Sequence, residues 1–210
     1  SQRARGSLCA EIVALPPTEE RFAEHTGPLK LFVFGGSLGA KVLNDVLPEA
    51  LALLPPEERP VVVHQTGKNR DEEVREHYAR VGVEAEVLPF ITDMAARYRE
   101  CDVVLCRSGA TSVSELCVGG VPAILVPFVA KTTAHQLGNA RYMVSNDAAI
   151  LMEQKDCTPE AVKNLLASLT REKLLKIGQS ARALGHARAS ENVADLIERI
   201  SEGKGPQEAA

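Results

Sequence analysis

Short apolar runs that alternate with helix-like stretches restrict this 210-residue chain more than any other feature of its sequence. Leu29-Lys30-Leu31-Phe32-Val33-Phe34, Val61-Val62-Val63-His64-Gln65, Glu84 to Pro89, Val103-Val104-Leu105-Cys106, Pro122 to Pro127 and Ala149-Ile150-Leu151 each have the length of a strand. Between them lie segments with helical spacing, such as 40–54, where Val42, Leu43, Val46 and Leu47 share a face. Further helices are expected at 71–81, near 93–99, from Ala110 to Gly119-Gly120 and at 135–145. A strand covered on one face alternates apolar and polar residues, whereas one covered on both faces is apolar throughout. The pattern therefore predicts an α/β fold, a doubly wound parallel sheet of about six strands.

The boundaries follow from the same reading. Residues 1–28 form a lead-in, in which Ala10 to Leu15 is a short strand or linker closed by Pro16-Pro17. Residues 29–155 form the sheet domain, 156–202 are helices packed on that domain, and 203–210 are a tail. Val193, Leu196, Ile197 and Ile200 recur at helical spacing and mark a docking helix.

Composition removes whole classes of function. Hydrophobic residues make up 45% and charged residues 25%, the mix of a globular chain that buries a core without staples. A net charge of −4 speaks against a duplex nucleic-acid binder. The cysteines Cys9, Cys101, Cys106, Cys117 and Cys157 are odd in number and contain no C-x-x-C pair, which reads as reduced thiols of a cytosolic protein. No apolar run approaches the roughly 20 residues that span a bilayer, and no signal peptide opens the sequence.

In open α/β sheets, ligands gather outside the carboxyl ends of the strands. After the first strand comes Gly35-Gly36-Ser37-Leu38-Gly39-Ala40. Its glycines let a backbone approach a ligand, though such loops also serve as plain tight turns. The spacing is neither G-x-G-x-x-G nor a P-loop, so ordinary NAD and ATP sites are disfavoured. After the fourth strand comes Arg107-Ser108-Gly109-Ala110-Thr111-Ser112-Val113-Ser114-Glu115. A helix start there suits a diphosphate, and Glu115 suits a ribose diol; the competing reading is helix capping. After the fifth strand come Pro127-Phe128, His135-Gln136 and Asn139, whose amides suit sugar hydroxyls. His64 and His135 read as structural hydrogen-bonders, and His25, His77 and His186 as solvated. No residues have metal-ligand spacing.

Taken together, Gly35 to Ala40, His64-Gln65-Thr66-Gly67, Phe90-Ile91-Thr92-Asp93-Met94, Cys106 to Glu115, Val126-Pro127-Phe128 and His135-Gln136 with Asn139-Ala140 closely resemble the bacterial MurG family. These are N-acetylglucosaminyltransferases that convert lipid I into lipid II in peptidoglycan synthesis. The resemblance implies a two-domain GT-B glycosyltransferase, of which this chain is similar to the C-terminal, Rossmann-like half that binds UDP-N-acetylglucosamine. It implies that Ser37 contacts the diphosphate and that Ile91 binds uracil through its backbone. Ala110, Thr111, Ser112, Val113 and Ser114 would hold phosphate and ribose, with Glu115 on the ribose hydroxyls and Gln136 on the sugar. Gly35, Gly36, Gly39 and Gly109 would shape the supporting loops. No cofactor and no metal are expected. No catalytic residue is expected in this chain. The general base, the lipid I acceptor and the membrane contact belong to an N-terminal domain, on the cytoplasmic face of the bacterial inner membrane, and this fragment is expected to be soluble. In one departure, Cys9 stands where the family has a donor-binding arginine.

Three alternatives share parts of this pattern. They are the soluble subunit of a two-chain dolichol-linked GlcNAc transferase, a UDP-N-acetylglucosamine 2-epimerase and a non-catalytic nucleotide-sugar sensor. The first is disfavoured by the bacterial-looking glycine loop, and the second by the lack of its carboxylate set. Turnover in the presence of an acceptor domain separates the third.

Overall fold

The computed structural model describes residues 10–36 and 38–201, with 187–201 described as helix backbone alone. Cys9, Ser37, the tail after Ser201 and the side chains of Val193, Leu196, Ile197 and Ile200 lie outside the described residues. The chain opens with α1 (Ala10–Val13) and α2 (Thr18–Ala23). An alternating series follows: β1 (Lys30–Phe34), α3 (Lys41–Ala52), β2 (Val61–Gln65), α4 (Asp71–Arg80), β3 (Glu86–Leu88), α5 (Met94–Glu100) and β4 (Val103–Cys106). It continues through α6 (Ala110–Gly119), β5 (Ala123–Leu125), α7 (His135–Ser145) and β6 (Ile150–Leu151), and closes with α8 (Pro159–Ala167) and α9 (Arg171–Ser201).

The described residues form one six-stranded sheet in the order β3-β2-β1-β4-β5-β6, every pairing parallel. This is the Rossmann-like order, with its switch point between β1 and β4. The apolar runs are continuous because each strand feeds two cores. On one side Leu31, Val33, Val103, Leu105 and Ile124 pack with residues of α3, α4 and α8. On the other, Phe32, Phe34, Val104, Cys106 and Leu125 pack with Ile12, Tyr98, Leu116 and Met143. Each core excludes water from apolar surface at roughly 25 cal/mol per Å².

Three sequence expectations are corrected. Ala10 to Leu15 is not a strand: α1 forms a helical turn, and Leu15 donates back to the Ile12 carbonyl at 3.2 Å. Ile12 and Leu15 are the buried pair, at the i, i+3 spacing of a helix face. His25, expected to be solvated, is instead paired with the fully buried carboxylate of Asp102 at 2.7 Å. That carboxylate also accepts from the Lys30 amide at 2.8 Å and from Arg171 Nη2 at 2.9 Å. His77 is paired as well, with Glu49 at 2.6 Å.

The rear of α6 is held in an unusual way. Arg21, almost fully buried, donates to the carbonyls of Gly119 and Gly120, each at 2.8 Å, and to Pro16 at 2.6 Å. Thr18 adds a hydroxyl bond to the Gly120 carbonyl at 2.7 Å. A cation and a hydroxyl thus satisfy carbonyls that a helix end leaves open. Helix α9 lies against α6 through Gly178 and Gly185. A Cβ on the first would come within 2.9 Å of the Gly120 carbonyl, and on the second within 2.7 Å of the Cys117 carbonyl. Among the described residues, no helix is long and apolar enough to cross a membrane.

Candidate functional site

A groove of about 860 Å³ is lined by Pro56, Arg59, Val61 and Glu86 at the amino ends of β2 and β3. The chemistry lies at the opposite end of the sheet, where β1 and β4 run side by side with Phe34 opposite Cys106 and release their loops next to each other.

The loop after β1 and the His64-Gln65-Thr66-Gly67 segment form one interlocked unit. Gly39 has φ +74°, and a Cβ there would overlap the Thr66 carbonyl. Gly67 has φ +93°, and its Cβ would fall 2.6 Å from the Leu38 carbonyl oxygen. Both positions therefore demand glycine, for conformation and for space. Asn44 Nδ2 donates to the Thr66 carbonyl at 3.0 Å, while Asn44 Oδ1 accepts from His64 Nε2 at 3.0 Å. His64 Nδ1 then accepts from Tyr78 Oη at 2.8 Å. Burial holds the His64 imidazole down to about 3, so it stays neutral and serves the structure.

Gln65 connects two of the expected contact regions. Its Nε2 donates to the Gly36 carbonyl at 3.2 Å, and its Oε1 accepts from the Ile91 amide at 2.9 Å. The Ile91 side chain is buried and its N–H is engaged, so its carbonyl is the backbone group left for a ligand.

Helix α6 starts without a side-chain cap. Gly109 is its N-cap, and among the described residues no hydrogen bond from the Thr111 or Ser112 hydroxyl to the helix start is found. The first N–H to bond back is that of Val113, to the Gly109 carbonyl at 3.0 Å. Among the described residues, the N–H groups of Ala110, Thr111 and Ser112 have no acceptor. Val113 commits both its N–H and its buried side chain to the fold. Glu115 sits beyond the first turn, where a helix dipole no longer accounts for it. Its Oε2 accepts from Tyr98 Oη at 2.9 Å, and nothing among the described residues engages its Oε1. Burial raises the Glu115 carboxyl above its ordinary value, and the Tyr98 hydrogen bond opposes that rise.

The far wall comes from β5 and α7. Ser108 Oγ donates to the Gln136 carbonyl at 2.7 Å, and Asn139 Nδ2 donates to the Ser108 carbonyl at 3.0 Å. Gln136 Oε1 accepts from the Phe128 amide at 2.9 Å, leaving its NH₂ group for a ligand. The Arg107 guanidinium donates to the Val126 carbonyl at 3.1 Å and lies 5.1 Å from the Phe128 ring centre. His135 opens α7. Leu38, 86% exposed, together with Phe90, Phe128 and Val129 leaves apolar surface in the loops after β1, β3 and β5. Among the described residues, no three His, Cys, Asp or Glu side chains are grouped to hold a metal ion.

The structure thus places Gly35, Gly36, Gly39, Ile91, Gly109, Ala110, Thr111, Ser112, Val113, Ser114, Glu115 and Gln136 at the carboxyl ends of β1, β3, β4 and β5 or in the helices that follow. Sequence reasoning missed the bridging role of Gln65 and the part played by Tyr98. The signal for the first was a polar amide ending an apolar strand. The second reads as an ordinary core aromatic.

Comparison with known proteins follows the same lines. Residues 30–200 match the family described as the glycosyltransferase family 28 C-terminal domain. A UDP-N-acetylglucosamine–N-acetylmuramyl-(pentapeptide) pyrophosphoryl-undecaprenol N-acetylglucosamine transferase of Janthinobacterium sp. (strain Marseille) is 50% identical over 190 residues, covering 90% of this chain and 53% of that protein. A transferase of the same name from Methylibium petroleiphilum is 53% identical over 193 residues, covering 91% of this chain and 53% of its own length. Among solved structures, MurG of Acinetobacter baumannii superposes with a TM-score of 0.78 at 36% identity, over 90% of this chain and 55% of that one. The chain spans about half the length of the curated relatives it matches.

Proposed function

This chain belongs to the glycosyltransferase family 28 C-terminal domain family, and from that premise we propose that it is the UDP-N-acetylglucosamine-binding half of an inverting transferase that makes lipid II from lipid I. The observation that carries the reading is the front of α6. Among the described residues, three unpaired N–H groups open at the carboxyl end of β4, and a carboxylate with one unengaged oxygen lies on the next turn. Such an end carries about half a positive charge and accepts a diphosphate. Ala110, Thr111 and Ser112 bind the phosphates, Ser114 and Glu115 the ribose, and Gln136 the sugar. Uracil N3–H donates to the Ile91 carbonyl. Ser37 belongs to the diphosphate contact, on the resemblance of its loop alone.

In the reaction, the acceptor hydroxyl forms a bond to the anomeric carbon as the bond to the UDP oxygen breaks. The acceptor proton passes to a base, and the configuration inverts. Charge grows on the departing diphosphate, where the α6 N–H groups stabilise it without reorganising. We assign the base, the acceptor site and the contact with the cytoplasmic face of the membrane to the part of the relatives that this chain does not cover. Without a positioned acceptor the proximity contribution, about 7–11 kcal/mol, is forfeited, so the 210-residue chain binds donor and does not turn it over.

Calorimetry with UDP, ADP and GDP tests the reading. UDP should bind more tightly than either purine nucleotide, because the Ile91 backbone, whose N–H is held by Gln65, presents its carbonyl to the uracil edge. Equal affinities would sink the donor assignment.

A further inference from the structure

Tyr98 lies outside the set of residues expected to touch a donor, yet its only polar atom is spent on that set. The side chain is 0% exposed. Its ring is wedged against Phe32 and Phe34 of β1, with centroids 6.1 and 6.3 Å away. A ring held on these sides carries its hydroxyl to one point, and at that point stands Glu115 Oε2, 2.9 Å away. Glu115 itself is a flexible side chain on another helix. Tyr98 thus supplies a fixed donor to one carboxylate oxygen and leaves the other unengaged among the described residues.

We propose that Tyr98 is a positioning residue of the donor site, orienting the Glu115 carboxylate towards the ribose diol of a nucleoside-diphosphate sugar. The inference rests on the donor reading above. The direction of the hydrogen bond is settled by its neighbours. Burial, reinforced by the Glu115 charge, pushes the Tyr98 phenol well above its ordinary value, so it remains a donor. The other titratable groups facing it are Cys101, pushed up by burial to about 12, and Cys106, pushed higher still. Neither changes charge near neutrality. Glu115 is therefore the acid of this cluster that loses its charge as pH falls; burial raises its carboxyl, and the hydrogen bond from Tyr98 works against that rise.

The test uses Tyr98→Phe, which keeps the ring and its packing. Carboxyl carbon NMR of the ligand-free 210-residue chain should find the Glu115 titration midpoint moved to higher pH. Calorimetry with UDP-N-acetylglucosamine, whose diphosphate diester exchanges no proton between about pH 5 and 8, should find affinity lower by about five- to tenfold, less than the loss of a direct hydrogen bond to a charged group because Tyr98 acts through Glu115. The acid limb of binding should move up with the carboxyl. In a Glu115→Ala background the same Phe substitution should add nothing. Glu115→Gln, which keeps an acceptor for Tyr98 without a charge, should remove the acid limb. An unmoved Glu115 midpoint, or an equal loss in the Glu115→Ala background, overturns the role given to Tyr98 while leaving donor binding intact. Failure of the unmodified chain to bind the donor at all sinks the donor reading and this role together.

Discussion

Replacing Gly39 by alanine isolates the contact that joins the glycine loop to the end of β2. Two penalties are expected. The residue holds φ +74°, and a left-handed conformation costs a side chain about 1–2 kcal/mol. The new Cβ would also overlap the Thr66 carbonyl, whose position is fixed by Asn44 and by the sheet. Backbone cannot yield as a side chain tip does, and forcing such overlap costs about 1–3 kcal/mol. Alanine recovers roughly 0.4–1 kcal/mol by restricting the unfolded chain. The balance is a loss of about 2–4 kcal/mol. Gly82→Ala is the reference: Gly82 has φ +69°, and a methyl group added there would meet nothing within 4 Å, so it carries the conformational penalty alone. Urea unfolding of the two variants should place Gly39→Ala below Gly82→Ala by about 1–3 kcal/mol. UDP-N-acetylglucosamine affinity should fall only in the former. Equal destabilisation would refute the interlocked loops.

Four other outcomes follow from the same geometry. Glu115→Ala should weaken UDP binding by about 1.5–3 kcal/mol, the range for charged hydrogen bonds, and an unchanged dissociation constant would leave Glu115 no ligand role. The same substitution should also cost about 1–3 kcal/mol of stability by orphaning the Tyr98 hydroxyl, which Glu115→Gln should spare. Although burial raises the Asp102 carboxyl, hydrogen bonds from Arg171, Lys30 and His25 bring it below its ordinary 3.8, so its stabilisation is full above that pH and fades as pH falls through the lower folded value. Asp102→Ala should cost about 3 kcal/mol at pH 7, the low end for a broken buried pair because Arg171 keeps partial exposure and two carbonyl acceptors, and it should flatten this acid-side loss in chemical denaturation. Finally, UDP affinity should be unaffected by EDTA in calorimetry; a loss restored by magnesium would contradict a diphosphate held by N–H groups.

The alternation of apolar runs and helices is legible in the sequence because strands buried on both faces leave no polar positions to confuse the period. The strand ends are legible for a related reason: glycines, hydroxyls and amides at the close of apolar runs have no use in a core. His64 reads as structural and is structural, since a lone imidazole at a strand end has partners within reach. Ala10 to Leu15 misleads because six residues fit both a strand and a helical turn, and only the burial of Ile12 with Leu15 decides. Asp102, Arg21 and Tyr98 escape for a different cause. Each takes its meaning from partners distant in sequence, Asp102 from Arg171, Arg21 from Gly119 and Tyr98 from Glu115, and no local pattern encodes those pairings.

The two glycines of α9 invert a familiar rule. In an isolated helix each would be a weakness of about 1 kcal/mol relative to alanine, and a helix carrying both would fray in water. Here the missing methyl groups let α9 lie on the carbonyls of Cys117 and Gly120. The helix forfeits self-sufficiency and gains a partner. Its order is then conditional on α6 being in place, and at these two positions α6 gains a backing at backbone contact distance. Substituting alanine at Gly178 or Gly185 strengthens the helix as a segment and evicts it from its seat, so local and global stability move in opposite directions.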